Sequence, residues 1–379
     1  MTEKLMPMSK IESAFHKIYF NDITPKMEKY EKQRQAAWLK IYLIEAVLII
    51  VFIICLTFFV KSISTGEDII LLLLFVNLVI LALIFGTPLA ESDNFAKKLK
   101  QNCMKDFIKS FGNISWYSYY DRQHSLKKKV INPDKKLRES ELFGIYNSRS
   151  DDDTFEGVFK DVKYTISETL LQNITGSGRH KKEKTVFKGV IINFAANKTI
   201  KNKTIIATKN DTNIKNRSCT YVSIIGAFLL VGAGILTKNL EVCIYGLISL
   251  IIGIISIIAE KTNITKNKEI LNEIKLEDPE FNKKYKAYSS DEVEGRYLIT
   301  TAFMERFKNL QTAFGAKNVK CSFYGDDIMF AISTRKNLFE IGNLFTPLNS
   351  PKQLEKAFEE LSSILALIDY FKLDEKTGL

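Results

Sequence analysis

Apolar residues run almost unbroken through Ile41–Val60, Ile69–Leu89, Tyr221–Thr237 and Val242–Ala259. Each run approaches the roughly 20 residues that a helix needs to cross the hydrocarbon core of a bilayer. The pattern predicts four spans in two hairpins with short polar tips. Ahead of the first span, Ile11, Phe15 and Ile18 recur at helical spacing. Thr24-Pro25 reads as the N-cap and first position of a second helix that continues through Trp38 into the membrane. Trp38 and Tyr42 then fall where aromatic rings anchor a span at the interface. The first run begins too deep in the chain for a cleaved leader and reads as an uncleaved anchor.

The polar stretches change period. Phe155, Phe159, Val162, Tyr164 and Ile166 suit a β-hairpin turning near Lys160-Asp161. Val186–Phe194 is apolar on both faces, as in a central strand, and Thr204–Thr208 suits a further short strand. Val319–Tyr324 and Asp327–Ser333 flank Gly325-Asp326, a dipeptide suited to a two-residue hairpin turn. Leu354, Phe358, Leu361, Ile364, Ile368 and Phe371 share one face of a closing amphipathic helix that starts at Ser350-Pro351. The expected fold class is α+β: transmembrane hairpins plus a domain with a mainly antiparallel sheet and flanking helices. Its expected organisation is a helical segment at 1–40, a hairpin at 41–89, a first part of the domain at 90–220, a hairpin inserted at 221–259, and a second part at 260–379.

Charge sets the expected orientation. Lys26, Lys29, Lys32, Arg34 and Lys40 precede the first span, and Lys97, Lys98, Lys100 and Lys105 follow the second. The tip between them carries only Lys61, Glu67 and Asp68, and the second hairpin repeats the bias. Basic residues stay on the cytoplasmic side of a membrane. Both termini and both large polar segments are therefore expected in the cytoplasm, under a bacterial inner membrane. The formal net charge of +11 is spread along the chain. That distribution suits membrane lipids as partners and argues against nucleic acid. Five cysteines without a CxxC pair and three scattered histidines suggest neither a disulfide framework nor a zinc site. No cofactor or metal is expected.

Leu276-Glu277-Asp278-Pro279-Glu280-Phe281, then Tyr288-Ser289-Ser290-Asp291, then Glu294-Gly295-Arg296-Tyr297-Leu298-Ile299-Thr300 closely resemble the signature of a bacterial membrane-protein family of unknown function. That family is the domain of unknown function numbered three-one-three-seven. Phe15, Tyr19, Ile23 and Pro25 resemble its N-terminal helix, Phe187-Lys188-Gly189 its central strand and Asp327–Ile332 its late hairpin. The family usually has one membrane hairpin, so Tyr221–Ala259 stands out as an insertion. Members are often encoded beside LemA-type membrane proteins, so the resemblance implies a LemA-like partner. It implies no reaction.

Glu277, Asp278, Glu280, Asp291, Glu294 and Arg296 form the densest charged constellation, readable as helix caps and a lock or as a partner or ligand site. Arg296 is expected to pair with a partly buried carboxylate of this stretch. The glycine-rich tip with Arg179, Lys181 and Lys182 is either a solvated loop or a contact for anionic lipid. Asp151-Asp152-Asp153 reads as a solvated turn. Glu45 near a span end and Asn77 in mid-span read as helix-packing residues, with Asn77 able to bond across its hairpin. Small residues in the second hairpin leave homo-oligomers possible. The leading functional reading is a non-enzymatic membrane-anchored adaptor or sensor. A transport or channel component is the alternative, and a tethered enzyme of unknown reaction comes third.

Overall fold

The computed structural model describes residues 8–65, 69–118, 134–209, 211, 245, 248, 251 and 271–373. Apart from those three isolated positions, the expected hairpin at 221–259 lies outside the described residues. The chain divides into two compact units. One comprises Met1–Ser118, Phe155–Lys160 and Asn337–Ala366, and the other Tyr119–Thr154, Asp161–Lys336 and Leu367–Leu379. The architecture is mixed α+β: two long apolar helices near the N-terminus and an antiparallel sheet with flanking helices.

In the first unit, α1 (Met8–Ile18) passes through a π-helical turn, Tyr19–Ile23, into α2 (Thr24–Thr65). The expected helix start at Thr24 is corrected. Thr24 has helical dihedrals, and its hydroxyl donates to the Tyr19 carbonyl at 2.8 Å instead of capping a helix. Pro25 lacks an N–H and its ring crowds the carbonyl four residues back. The wider π turn accommodates both, so the helix continues. α2 has 42 residues, about 63 Å at helical rise. α3 (Ile70–Phe107) returns beside it, and a 3-10 turn leads to β1 (Ile114–Ser118). Both helices are long and apolar enough to cross a membrane. Their middle turns bury little: Leu43, Ile50, Phe58, Leu71, Phe75 and Phe85 are all exposed.

The polar ends of these helices are built as a folded core. Asp106 of α3 pairs with Lys26 of α2, and with Lys109 at 2.7 Å. Leu99, Cys103, Met104 and Phe107 of the same helix are buried. Phe15 stacks on Phe358 of the final helix α8 (Lys352–Tyr370), with centroids 4.3 Å apart, and meets Phe107 edge-on. The three-and-four spacing read from the sequence is therefore the buried face of α8.

The remaining elements, in chain order, are α4 (Asp134–Ser140), β2 (Ser148–Phe159), β3 (Val162–Thr175), β4 (Lys182–Thr208), β5 (Asn272–Ile274), α5 (Pro279–Lys284), β6 (Tyr285–Ser289), α6 (Glu292–Leu298), α7 (Thr301–Ala313) and β7 (Asn318–Ser333). In the first unit β1 lies beside β2. In the second the order runs β2-β3-β4-β6-β5, and β7 also pairs with β4. The pairings of β3, β6 and β7 with β4, and of β5 with β6, are antiparallel. Strands from before and after residues 221–259 thus share one sheet. Lys160 and Asp161 both have positive φ and turn β2 into β3.

Two expected features are corrected. Thr204–Thr208 is not a separate strand but the far end of the 27-residue β4. Gly325-Asp326 does not close a hairpin, because β7 is one 16-residue strand and both its halves pair with β4. β4 slips register between Ala195 and Ile200 and again before Thr204, and Gly325, with φ +55, lies opposite Ile200. The turn residue thus bends a strand whose partner bends at the same level. Strand β6 was hidden among charged helical neighbours, although its residues alternate between buried and half-buried.

Both sheet faces in the second unit are covered, which is why β4 is apolar on both sides. Phe187 and Ile191 join Leu137, Leu142 and Met329 in one cluster. Elsewhere in this unit Phe303 of α7 and Phe330 of β7 meet Phe371 at 4.9 and 5.0 Å.

Candidate functional site

The acidic stretch 277–296 folds as a series of caps. Asp278 accepts bonds from the backbone N–H groups of Glu280 and Phe281 at 2.8 and 3.1 Å, opening α5 ahead of Pro279. Its second oxygen meets Lys308 Nζ of α7 at 2.6 Å, and that contact holds the Asp278 carboxyl below its ordinary range. Asp291 caps α6 by accepting from Glu294 N–H at 2.9 Å. Glu294 reaches β4, where it accepts from the backbone N–H groups of Lys201 and Asn202 at 3.1 and 2.9 Å and from the Asn202 amide at 2.7 Å. Those two residues lie in the register slip of β4. The slip frees these two backbone donors, one exposed and one half-buried, and Glu294 accepts from both. Gly295 completes the seat: a Cβ there would lie 2.9 Å from Ser289 Cβ and from Ile274 Cδ1. Glu277 is exposed, and Glu280 pairs with Lys283 on its own helix.

Arg296 pairs with Glu292 one turn away, at 2.8 Å, with both side chains largely exposed. The partly buried partner expected from sequence is therefore corrected, because α6 turns Arg296 outward. Exposed i,i+4 pairs contribute roughly 0.3–0.5 kcal/mol. Arg296→Ala is expected to leave thermal stability almost unchanged, whereas Glu294→Ala, which removes the acceptor of the half-buried Asn202 N–H and amide, should lower it by about 1 kcal/mol. Melting curves of the two variants in detergent check this, and the reverse order would contradict it.

The basic tip sits on a 3-10 turn, Gly178–His180, between β3 and β4. Lys181 pairs with Glu183 at 2.6 Å, and Lys182 faces Thr175 at the start of the ladder and is exposed. Arg179 belongs to the same turn. The Asp151-Asp152-Asp153 triplet is corrected from a solvated turn to part of β2, with Asp151 and Asp153 buried. Asp151 binds Arg149 at 3.0 Å and accepts from the Thr169 hydroxyl at 2.7 Å. In the first hairpin, Asn77 donates to Leu73 O of its own helix at 2.8 Å, not across the hairpin. Its buried Oδ1 has no hydrogen-bond partner among the described residues.

Sequence reading missed two constellations. Lys320 of β7 and Asp211 form an ion pair of 2.6 Å with both side chains almost fully buried. Lys320 also donates to Leu142 O at 2.9 Å and lies 5.6 Å from the Phe143 ring centroid. Burial lowers the Lys320 pKa, and Asp211 opposes that shift. A lone lysine in an alternating strand gave no sign of burial.

The second constellation clamps the loop before α8 onto α2. Glu31 chelates Arg34 at 2.7 and 2.8 Å and accepts from Leu348 N–H at 2.9 Å. Arg34 and the Trp38 indole both donate to Leu344 O, at 3.2 and 2.8 Å. Arg34 is the main cause that depresses the Glu31 pKa from 4.5 to about 2. A depressed carboxyl stabilises the fold above its unfolded pKa and loses that contribution as pH falls through its folded one. The chain should therefore lose stability between about pH 4.5 and about pH 2, by of order 3 kcal/mol from this group. Glu31→Gln should flatten that part of the melting-temperature profile. An unchanged profile would remove Glu31 as its source.

Residues 185–373 match the family model described as "Protein of unknown function (DUF3137)". The match supports a domain of unknown function from within β4 to just past α8, including the capped acidic stretch. No curated protein matches the chain, and no solved structure does.

Proposed function

We propose that the chain is a membrane-anchored adaptor or sensor. In this reading α2 and α3 span a bacterial inner membrane as a hairpin, Tyr221–Ala259 adds a second one, and both termini stay in the cytoplasm. The α+β domain is then held at the membrane surface to recruit a protein partner, with a LemA-like membrane protein as the first candidate. One observation carries the reading: a belt of exposed apolar side chains on both helices, from Leu39 to Ile63 and from Leu71 to Leu89. Soluble monomers rarely expose contiguous apolar patches beyond a few hundred Å², and lipid is the solvent that suits this belt. The lysine bias around the spans supports the orientation.

The test is affinity purification of the tagged full chain from native membranes in mild detergent. A stoichiometric protein partner that is retained at high salt is expected. Purification of the chain with a bound small molecule and no protein would overturn the adaptor reading and favour transport or catalysis.

A further inference from the structure

We infer that the loop Asn343–Leu348 is a second membrane contact, which inserts the Phe345 ring among the glycerol and upper acyl groups of the phospholipid leaflet around α2. The inference rests on the reading that α2 and α3 span a bilayer. Phe345 is 48% exposed, whereas its apolar loop neighbours Leu344 and Leu348 are buried. It stands beside Trp38, with ring centroids 5.8 Å apart, and Trp38 stacks on Tyr42 at 5.2 Å. Arg34, Gln35, Trp38, Leu39, Tyr42 and Phe345 line one open groove. This groove is continuous with the belt: Leu39 and Tyr42 are 63% and 60% exposed, and Leu43 and Ile44 follow on the same helix. An aromatic cluster where a helix turns from polar to apolar matches the interfacial zone, which favours rings with one wet and one apolar side.

The loop's backbone is already prepared for a region poor in water. Asn343 Oδ1 accepts from the N–H groups of Phe345 and Thr346, at 2.9 and 3.0 Å, and from the Thr346 hydroxyl at 2.9 Å. Leu344 O holds two donors, and Leu348 N–H is bound by Glu31. Unsatisfied backbone groups are what exclude irregular chain from lipid, and these are satisfied internally. Arg34 is neutralised by Glu31, so the groove offers no spare guanidinium for a free anion. Exposed Lys40, beside Leu39, suits the phosphate layer of a leaflet.

The experiment places the photoreactive residue p-benzoylphenylalanine separately at Phe345, Leu56 and Val293. The full chain is reconstituted in vesicles of phosphatidylcholine and phosphatidylglycerol, irradiated and analysed by mass spectrometry for lipid adducts. Leu56 is an exposed residue of α2 and reports spanning; Val293 is 80% exposed on α6 and reports background. Adducts at 56 and 345, each at least tenfold above 293, are expected. Adducts at 56 with 345 at background would overturn the loop contact and leave the spanning reading intact. Background at 56 would overturn the spanning reading itself, and the inference with it.

Discussion

Gly189→Ala is expected to destabilise the chain by more than about 4 kcal/mol, enough to prevent a folded sheet. Gly189 lies in β4 opposite Ser333 of β7, with φ +151. A Cβ there would lie 2.1 Å from Ile332 O, 2.8 Å from Thr334 N and 2.9 Å from Ser333 Cα. All three are backbone atoms, so no side chain can swing aside. Relief requires parting β4 from β7, which also breaks the bond from Thr334 N–H to Lys188 O. Gly325→Ala is the control. Its φ of +55 strains an alanine, but open space surrounds it, so the cost should be about 1–2 kcal/mol. Thermal melts of both variants in detergent make the comparison. Equal and small losses would mean that β4 and β7 are not paired as described.

Lys320→Ala should cost roughly 3–5 kcal/mol, because it leaves a buried carboxylate without its counter-charge. Asp211 sits just beyond the end of β4, and Lys320 reaches it from the start of β7. The pair, with the bond to Leu142 O, ties three separate parts of the second unit together. Volume-conserving Lys320→Met should lose nearly as much, since charge and not packing is removed. Combining it with Asp211→Asn should recover part of the loss, with a coupling of about 1–3 kcal/mol in the double-mutant cycle. Strictly additive losses would mean that the two groups do not interact.

Much of the fold was legible wherever one physical demand dominated a stretch. The two long helices announce themselves because their apolar runs are unbroken over the length that a bilayer would demand. The closing helix is visible because one face alone is buried, and the β2–β3 hairpin because Lys160-Asp161 interrupts a period of two. Legibility failed where a local signal had two structural uses. Gly325-Asp326 looks like a hairpin turn, yet a bent strand also needs positive φ, and only the matching slip in β4 decides between them. Thr24-Pro25 looks like a helix start, yet a π turn lets the helix run on. The acidic signature was readable as caps at Asp278 and Asp291, because an N-cap is a local device. The role of Glu294 was not readable, since it serves backbone about 90 residues earlier in the chain. The Lys320–Asp211 pair escaped for the same reason.

The central claim is that α2 and α3 cross a bilayer as a hairpin. The most direct measurement is the sidedness of Glu12→Cys, at an exposed position of α1, and Ser64→Cys, at the tip end of α2, in a background lacking Cys219 and Cys243. Intact cells or spheroplasts expressing each variant are treated with a membrane-impermeant maleimide before and after permeabilisation. The account predicts immediate labelling at 64 and labelling at 12 only once the membrane is opened. Equal labelling of both positions from one side would contradict it, because the hairpin would then not cross.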